Sequence, residues 1–204
     1  MVEQGTDEWK ALRLGKATAS RMADICARTK TGWGASRANY AAQLVAERLT
    51  GKVADSYSNA AMEWGNATEA EARAVYAFFQ DVTVDAVDFV PHPTIEMSGA
   101  SPDGCIGTDG LVEIKCPNTA THIDTLLGRS VPEKYILQMQ WQMACTARQW
   151  CDFVSYDPRM PETLRLFVKR VNRDDVLILD LEDKVREFLS EVHAKTVTLQ
   201  EMAA

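Results

Sequence analysis

The chain has 204 residues, 46% of them apolar and 25% charged. This is ordinary composition for one globular domain and excludes wholesale disorder. Its 22 Lys and Arg against 29 Asp and Glu give a net charge of −7, so the total lacks the basic footprint usual in a nucleic-acid-binding domain.

Thr6 followed by Asp7-Glu8 predicts a helix start: a capping hydroxyl, then acids at the positive end of the helix dipole, with Trp9 and Leu12 facing inward. A second short helix beginning near Thr18 or Ser20 carries Met22 and Ile25. Residues 29–35 hold two glycines and read as a flexible loop. Helix returns over 36–50, where Tyr40, Leu44, Val45 and Leu49 recur at helical spacing, and again over 59–80, with Gly65 as a weak point. Residues 82–90 then alternate apolar and polar, the pattern of a half-buried strand. Cys105–Gly107 and Leu111–Cys116 flank Thr108-Asp109-Gly110, a hairpin signal. Helix follows over 133–147, strands at Cys151–Tyr156 and Leu164–Val171, and a final amphipathic helix over 175–200. This order predicts one α/β (α+β) domain with a mixed sheet.

The charge is unevenly spread. Residues 10–48 hold eight basic and two acidic side chains, whereas residues 51–113 hold two basic and eleven acidic ones. Either this is scatter over solvated faces, or an anion site lies beside a carboxylate-rich site. The five cysteines are odd in number and form no C-x-x-C pair, which argues against a complete disulfide framework and a common structural zinc site. The polar opening is unlike a signal peptide, and no apolar run approaches the ~18–20 residues of a membrane span. A soluble cytoplasmic protein with reduced thiols is expected.

The most informative stretch is Ser101-Pro-Asp-Gly104 followed by Leu111-Val-Glu-Ile-Lys-Cys-Pro117. Glu113 and Lys115 lie two apart on a predicted strand and so share a face, while Val112 and Ile114 point to the core. The hairpin returns Asp103 toward Glu113. Two carboxylates converging near one lysine suit a hard divalent cation with oxygen ligands, which can activate water and neutralise a phosphate. Pro-Asp-Gly alone is a common turn and Glu-x-Lys a common solvated face. Their ordered combination fits the Asp…Glu-x-Lys pattern of metal-dependent nucleases.

The rest of the chain extends the likeness. Trp9-Lys-Ala-Leu-Arg-Leu-Gly-Lys-Ala-Thr-Ala-Ser20, Ala61-Met-Glu-Trp-Gly-Asn-Ala-Thr-Glu69, the two segments above, Tyr135-Ile-Leu-Gln-Met-Gln140 and Tyr156-Asp-Pro-Arg-Met160 follow in order. Over residues 3–195 the chain resembles the lambda-exonuclease-like (YqaJ-type) viral recombinase nucleases. The resemblance implies a restriction-endonuclease-like PD-(D/E)xK core in a single nuclease domain, 1–204. Residues 1–80 would form the helical part that admits DNA and holds its 5′-phosphate, and residues 81–204 the catalytic part with the sheet.

Carried over residue by residue, the resemblance makes Asp103, Glu113, the carbonyl of Ile114 and Glu69 the shell of a Mg²⁺ ion, with Mn²⁺ as the alternative. It makes Lys115 the catalytic lysine and Gln138 the residue that orients the attacking water. Arg13 and Ser20 would hold the 5′-phosphate of the substrate strand; a guanidinium fork suits phosphate, and a hydroxyl adds a donor. Arg28 and Lys30 would contact the duplex, Trp33 would stack on a base or pack its loop, and Met62 would wedge the terminal base pair or fill the core. Lys115 is a base only if its pKa is depressed, and otherwise a cation that steadies the transition state. The implied activity is a phage-type 5′→3′ exonuclease that degrades one strand of linear duplex DNA to mononucleotides. The implied partners are a single-strand annealing protein and, in a ring-shaped homotrimer, two further copies of the chain. In such a ring Arg28, Lys30 and Arg37 would line the channel. An endonuclease of the same fold and a non-catalytic DNA-binding protein are the rival readings.

Overall fold

In a computed structural model, residues 5–54 and 60–203 are described, without the side chains at 60–63 and 66. The sheet at the centre is built by β6 (Gly104–Ile106), β7 (Gly110–Lys115), β8 (Trp150–Tyr156) and β9 (Leu166–Asn172), in that order. β6 and β7 form the antiparallel hairpin that the sequence predicts, β8 runs parallel to β7, and β9 returns antiparallel to β8. The parallel step needs a crossover, which α5 (Thr119–Gly128) and α6 (Glu133–Thr146) supply.

Alternation along β7 sends its side chains to two different layers. Val112 and Ile114 join Val154 and Tyr156 of β8 against Ala72 and Tyr76 of α4 (Ala60–Gln80). Leu111 joins Cys151 and Phe153 against Met139 and Met143 of α6. Glu113 shares that second face and is wholly buried, so the expected charged face of the strand is covered by a helix.

The other side of α6 meets the N-terminal helical layer. Trp141 and Cys145 pack with Met22 and Ile25 of α2 (Met22–Ile25), Tyr40 and Leu44 of α3 (Ala35–Thr50), and Leu181, Val185 and Phe188 of α7 (Asp175–Met202). A small sheet of β1 (Ala17–Thr18), β5 (Ser98–Ala100) and β4 (Val90–Pro91) ties the N-terminal segment to the strand that leads into Asp103.

Four expectations need correction. Residues 82–90 form no continuous strand. Val82 and Val84 lie against the α4 side, Val87 against the α6 side, Asp85 bridges Cys105 at the edge of β6, and Val90 opens β4 against β5. The period-two pattern therefore records a segment crossing the sheet edge. In α1 (Asp7–Arg13), capped by Thr6 as predicted, Leu12 is 39% exposed and no residue is fully buried. Residues 28–33 close as a two-stranded hairpin, β2 (Arg28–Thr29) with β3 (Gly32–Trp33). Arg37, expected to line a channel, is 1% exposed; it donates to the Ile25 carbonyl at 2.9 Å and pairs with Glu191 at 2.7 Å.

The Tyr156–Met160 motif fastens three elements beside the site. Asp157 is buried and accepts from Arg159 Nε at 2.7 Å and from Thr119 Oγ1, at the start of α5, also at 2.7 Å. Arg159 in turn donates to the Pro117 carbonyl at 3.2 Å and lies 4.4 Å from the Trp64 ring of α4. Burial alone would raise the Asp157 pKa, but the hydrogen bonds from Arg159 and Thr119 outweigh it and hold the carboxyl at about 2. A carboxyl depressed on folding stabilises the native state above its unfolded pKa of about 3.9 and loses that contribution as pH falls through the folded value. Asp157→Asn should therefore lower stability by about 2 kcal/mol at neutral pH. Denaturant titrations at pH 7 and near pH 2 check this, because the difference between wild type and variant should shrink at the lower pH.

Candidate active site

Glu113 is the centre of the site. Its neighbours on α6 are Gln138 and Gln142, four residues apart and so on one helix face. Gln138 Nε2 donates to Glu113 Oε1 and Gln142 Nε2 to Oε2, each at 2.6 Å. Lys115 Nζ makes an ion pair with Glu113 Oε1. The buried carboxylate thus has both oxygens occupied and an adjacent cation, as burial of a charge requires.

Asp103 stands just before β6, where extending the Gly104↔Val112 register by one residue sets it opposite Glu113. It is buried, and its Oδ2 accepts from the backbone N–H of Ile114 at 2.7 Å. Burial first, and then the charge of Glu113, push its pKa well above the usual carboxylate range, with Glu69 adding to the rise; Lys115 and the Ile114 N–H oppose it. Glu69, on α4, is paired with Arg73 at 2.9 Å. Its charge and that of Asp103 both reach Cys116, whose thiol is pushed up to about 12, mainly by burial. Burial alone would lower the Lys115 pKa, but Glu113 and Asp103 more than reverse this and keep it an ammonium.

Among the described residues no three His, Cys, Asp or Glu side chains already converge as a ready cation cage. The donor chemistry nevertheless suits a divalent cation. Two buried carboxylates side by side repel, and a hard cation with oxygen ligands relieves that repulsion.

Arg13 and Ser20 meet, as the sequence reading expects. Arg13 Nη2 donates to Ser20 Oγ at 3.3 Å, while Nη1 donates to Ser101 Oγ at 3.0 Å. Trp9 Nε1 also donates to Ser101 Oγ, at 3.2 Å, and its ring lies 4.1 Å from the Arg13 guanidinium. Among the described residues Arg13 pairs with no carboxylate, although burial lowers its pKa, against the opposing effects of Tyr40 and Glu47. A partly desolvated guanidinium faced by hydroxyls and an indole has donor chemistry that suits an anion.

Helix α3 fixes the segment between Arg13 and Ser20. Glu47 Oε2 accepts from Gly15 N at 2.8 Å, and Arg48 Nε donates to Gly15 O at 3.0 Å. The Tyr40 hydroxyl accepts from Thr18 N and donates to Lys16 O, both at 3.1 Å. Gly15 turns the chain with φ +67°, and a Cβ there would come within 2.9 Å of Arg48 Cγ.

The remaining candidates lie apart from this centre. Arg28 and Lys30 are exposed on the β2–β3 hairpin. Trp33 anchors that hairpin: Arg28 and Arg37 lie 4.0 and 3.9 Å from its ring, and its Nε1 donates to Glu187 at 3.3 Å. The Met62 side chain lies outside the described residues. The sequence reading assigned no role to Gln142, Ser101 or Trp9. Ser101 was within reach through its place two residues before Asp103, and Trp9 through its place four before Arg13; nothing in sequence marked Gln142.

No curated protein sequence matches the chain. Among solved structures, the alkaline exonuclease LHK-Exo from Laribacter hongkongensis is similar, with 50% identity and a TM-score of 0.91 over 97% of this chain and 98% of that one. A structure of LHK-Exo in complex with dAMP matches equally, at 51% identity, TM-score 0.91 and the same coverage. A phage-related exonuclease from Haemophilus somnus 129PT, at 16% identity and TM-score 0.71 over 93% of this chain and 96% of that one, shares the fold. This is the mixed-sheet core expected of the restriction-endonuclease-like nucleases. Residues 8–149 match the YqaJ-like viral recombinase domain, and the chain belongs to that family.

Proposed function

We propose that the chain is a Mg²⁺-dependent exodeoxyribonuclease that hydrolyses one strand of linear duplex DNA from its 5′ end. The observation that carries this reading is the short peptide Ser101-Pro102-Asp103. Its first residue belongs to the anion site through Arg13, and its last faces Glu113. Cα atoms two residues apart span at most about 7 Å, so a bound terminal phosphate lies close to the carboxylates.

Arg13, Ser20 and Ser101 bind the 5′-phosphate. A terminal phosphate carries more charge than a diester, and an end lacking it leaves Arg13 without an anion. Asp103, Glu113, the Ile114 carbonyl and Glu69 would hold Mg²⁺ or Mn²⁺, which when bound lowers the pKa of a water and offsets phosphate charge. Gln138, whose amide already rests on Glu113, orients the attacking water. Lys115 acts as a cation that steadies charge developing on the phosphate, in keeping with its ion pair to Glu113. The dAMP bound by the relative at 51% identity is a deoxynucleoside monophosphate, the chemical class of the product proposed here. Arg28 and Lys30 on the hairpin and Met62 on α4 are assigned to the incoming duplex. In this reading the chain works as a ring-shaped homotrimer that passes its remaining 3′ strand to an annealing protein, a setting that suits a viral recombinase-type domain. No helix among the described residues is long and apolar enough to cross a membrane, and the same reading places the enzyme in the cytoplasm.

Three duplexes test the activity in the presence of Mg²⁺: linear with 5′-phosphate, linear with 5′-hydroxyl, and closed circular. The first should release mononucleotides rapidly, the second slowly, and the third should stay intact; a cut circle means an endonuclease. Lys115→Ala should lower kcat about 10²–10³-fold while the Kd for DNA, measured without turnover, stays near native. Arg13→Ala should bring the rate ratio between phosphorylated and hydroxyl ends close to one. The charge-assisted bonds lost are worth about 1.5–3 kcal/mol, and a ratio as large as the native one contradicts the pocket.

A further inference from the structure

We propose that Gln142 is a positioning residue for the Glu113 carboxylate. This rests on the reading of Glu113 as a cation-holding group. The carboxylate is gripped differently at its two oxygens. Oε1 meets both Lys115 and Gln138, which is 8% exposed, while Oε2 meets Gln142, which is 0% exposed. The terminal torsion of a glutamate is broad and roughly two-fold, so a single amide leaves the carboxylate free to turn about that bond. A second amide from the same helix face, one turn further on, fixes the plane. A carboxylate offers about four lone-pair directions. The two amides and Lys115 take three, leaving one on Oε2, the oxygen that Gln142 holds, for a cation.

Gln142 has no route to DNA, because its side chain lies wholly beneath the surface. Any influence on the reaction must pass through Glu113. Methionines line the neighbouring layer, so packing alone does not call for a glutamine here; what the amide adds is its bond to Glu113.

The test uses Gln142→Met, which keeps length and volume and removes the donor. Mn²⁺ binding to the full chain is measured by titration calorimetry, alongside kcat and KM on 5′-phosphorylated duplex. Loss of an outer-shell partner typically weakens metal affinity about 10–100-fold. The expected result is a Mn²⁺ dissociation constant raised by that factor, a lower kcat at saturating Mn²⁺, and an unchanged KM for DNA. Native Mn²⁺ affinity together with native kcat overturns the proposal, even where thermal stability has changed, since a purely structural glutamine moves only the latter. Gln142→Asn, which keeps an amide but draws it back by one methylene, gives the same readings if the methionine variant does not fold. Glu113→Gln separates the two levels: if it binds Mn²⁺ as the native chain does, the reading of Glu113 falls and this inference with it. If it loses Mn²⁺ while Gln142→Met keeps native affinity and rate, only this inference falls.

Discussion

A carboxylate with no solvent exposure, Glu113, sits in the middle of the sheet, and much of the architecture follows from satisfying its oxygens there. Removing such a group from water costs several kcal/mol unless hydrogen bonds and a counter-charge replace the lost hydration. Two amides and an ammonium do so. The amides lie on one face of α6, so α6 must cross β7 at a fixed height with that face turned inward. The apolar contacts of Met139 and Met143 with Leu111 and Phe153 set the height, and those of Trp141 and Cys145 with the N-terminal helices hold the opposite face. The helix that carries both amides is therefore also the central packing element between two layers.

The same strand solves a second problem, that of bringing the Arg13 guanidinium toward the carboxylates. Val112 and Ile114 bury toward α4 while Glu113 turns to α6, and the hairpin returns Asp103 to the same end. The residues before Asp103 belong to β5, which pairs with β1, and β1 lies between Arg13 and Ser20. A few backbone bonds in a very short sheet thus place a guanidinium next to a metal-type centre. Precision of this kind comes from backbone pairing and from the Tyr40, Glu47 and Arg48 clamp on the intervening segment, whose side chains give up rotamer freedom to make it.

Long periodic elements were legible in the sequence because burial and period reinforce each other: α3, α4, α6, α7 and the β6–β7 hairpin lie within a residue or two of where their patterns put them. The Asp103, Glu113, Lys115 cluster and the Arg13–Ser20 meeting were legible through motif order. What escaped notice has physical causes. Strands of two or three residues, such as β1 and β5, carry too few side chains to show a period. Helix α5 is rich in threonine, and its hold is polar, through His122 to Ser155 Oγ and the Leu164 carbonyl. Gln142 was invisible because a glutamine in an apolar helix announces burial but not its partner, here twenty-nine residues away in sequence.

The basic opening segment shows where a charge count misleads. Of its eight cations, Arg37 is spent on Glu191, Arg21 on Asp24 and Arg48 on the Gly15 carbonyl. These arginines build the scaffold and add little field beyond it, because each is matched locally by a carboxylate or a carbonyl dipole. Arg13 is different, since its partners are hydroxyls and an indole. With exposed charges screened over about 8 Å at physiological ionic strength, what a DNA strand would meet at the proposed pocket is one concentrated positive point beside buried carboxylates. A broad basic face would grip any stretch of backbone through many released counterions. A single desolvated guanidinium favours the most highly charged group that can reach it, and on a nucleic acid that group is a terminal phosphate.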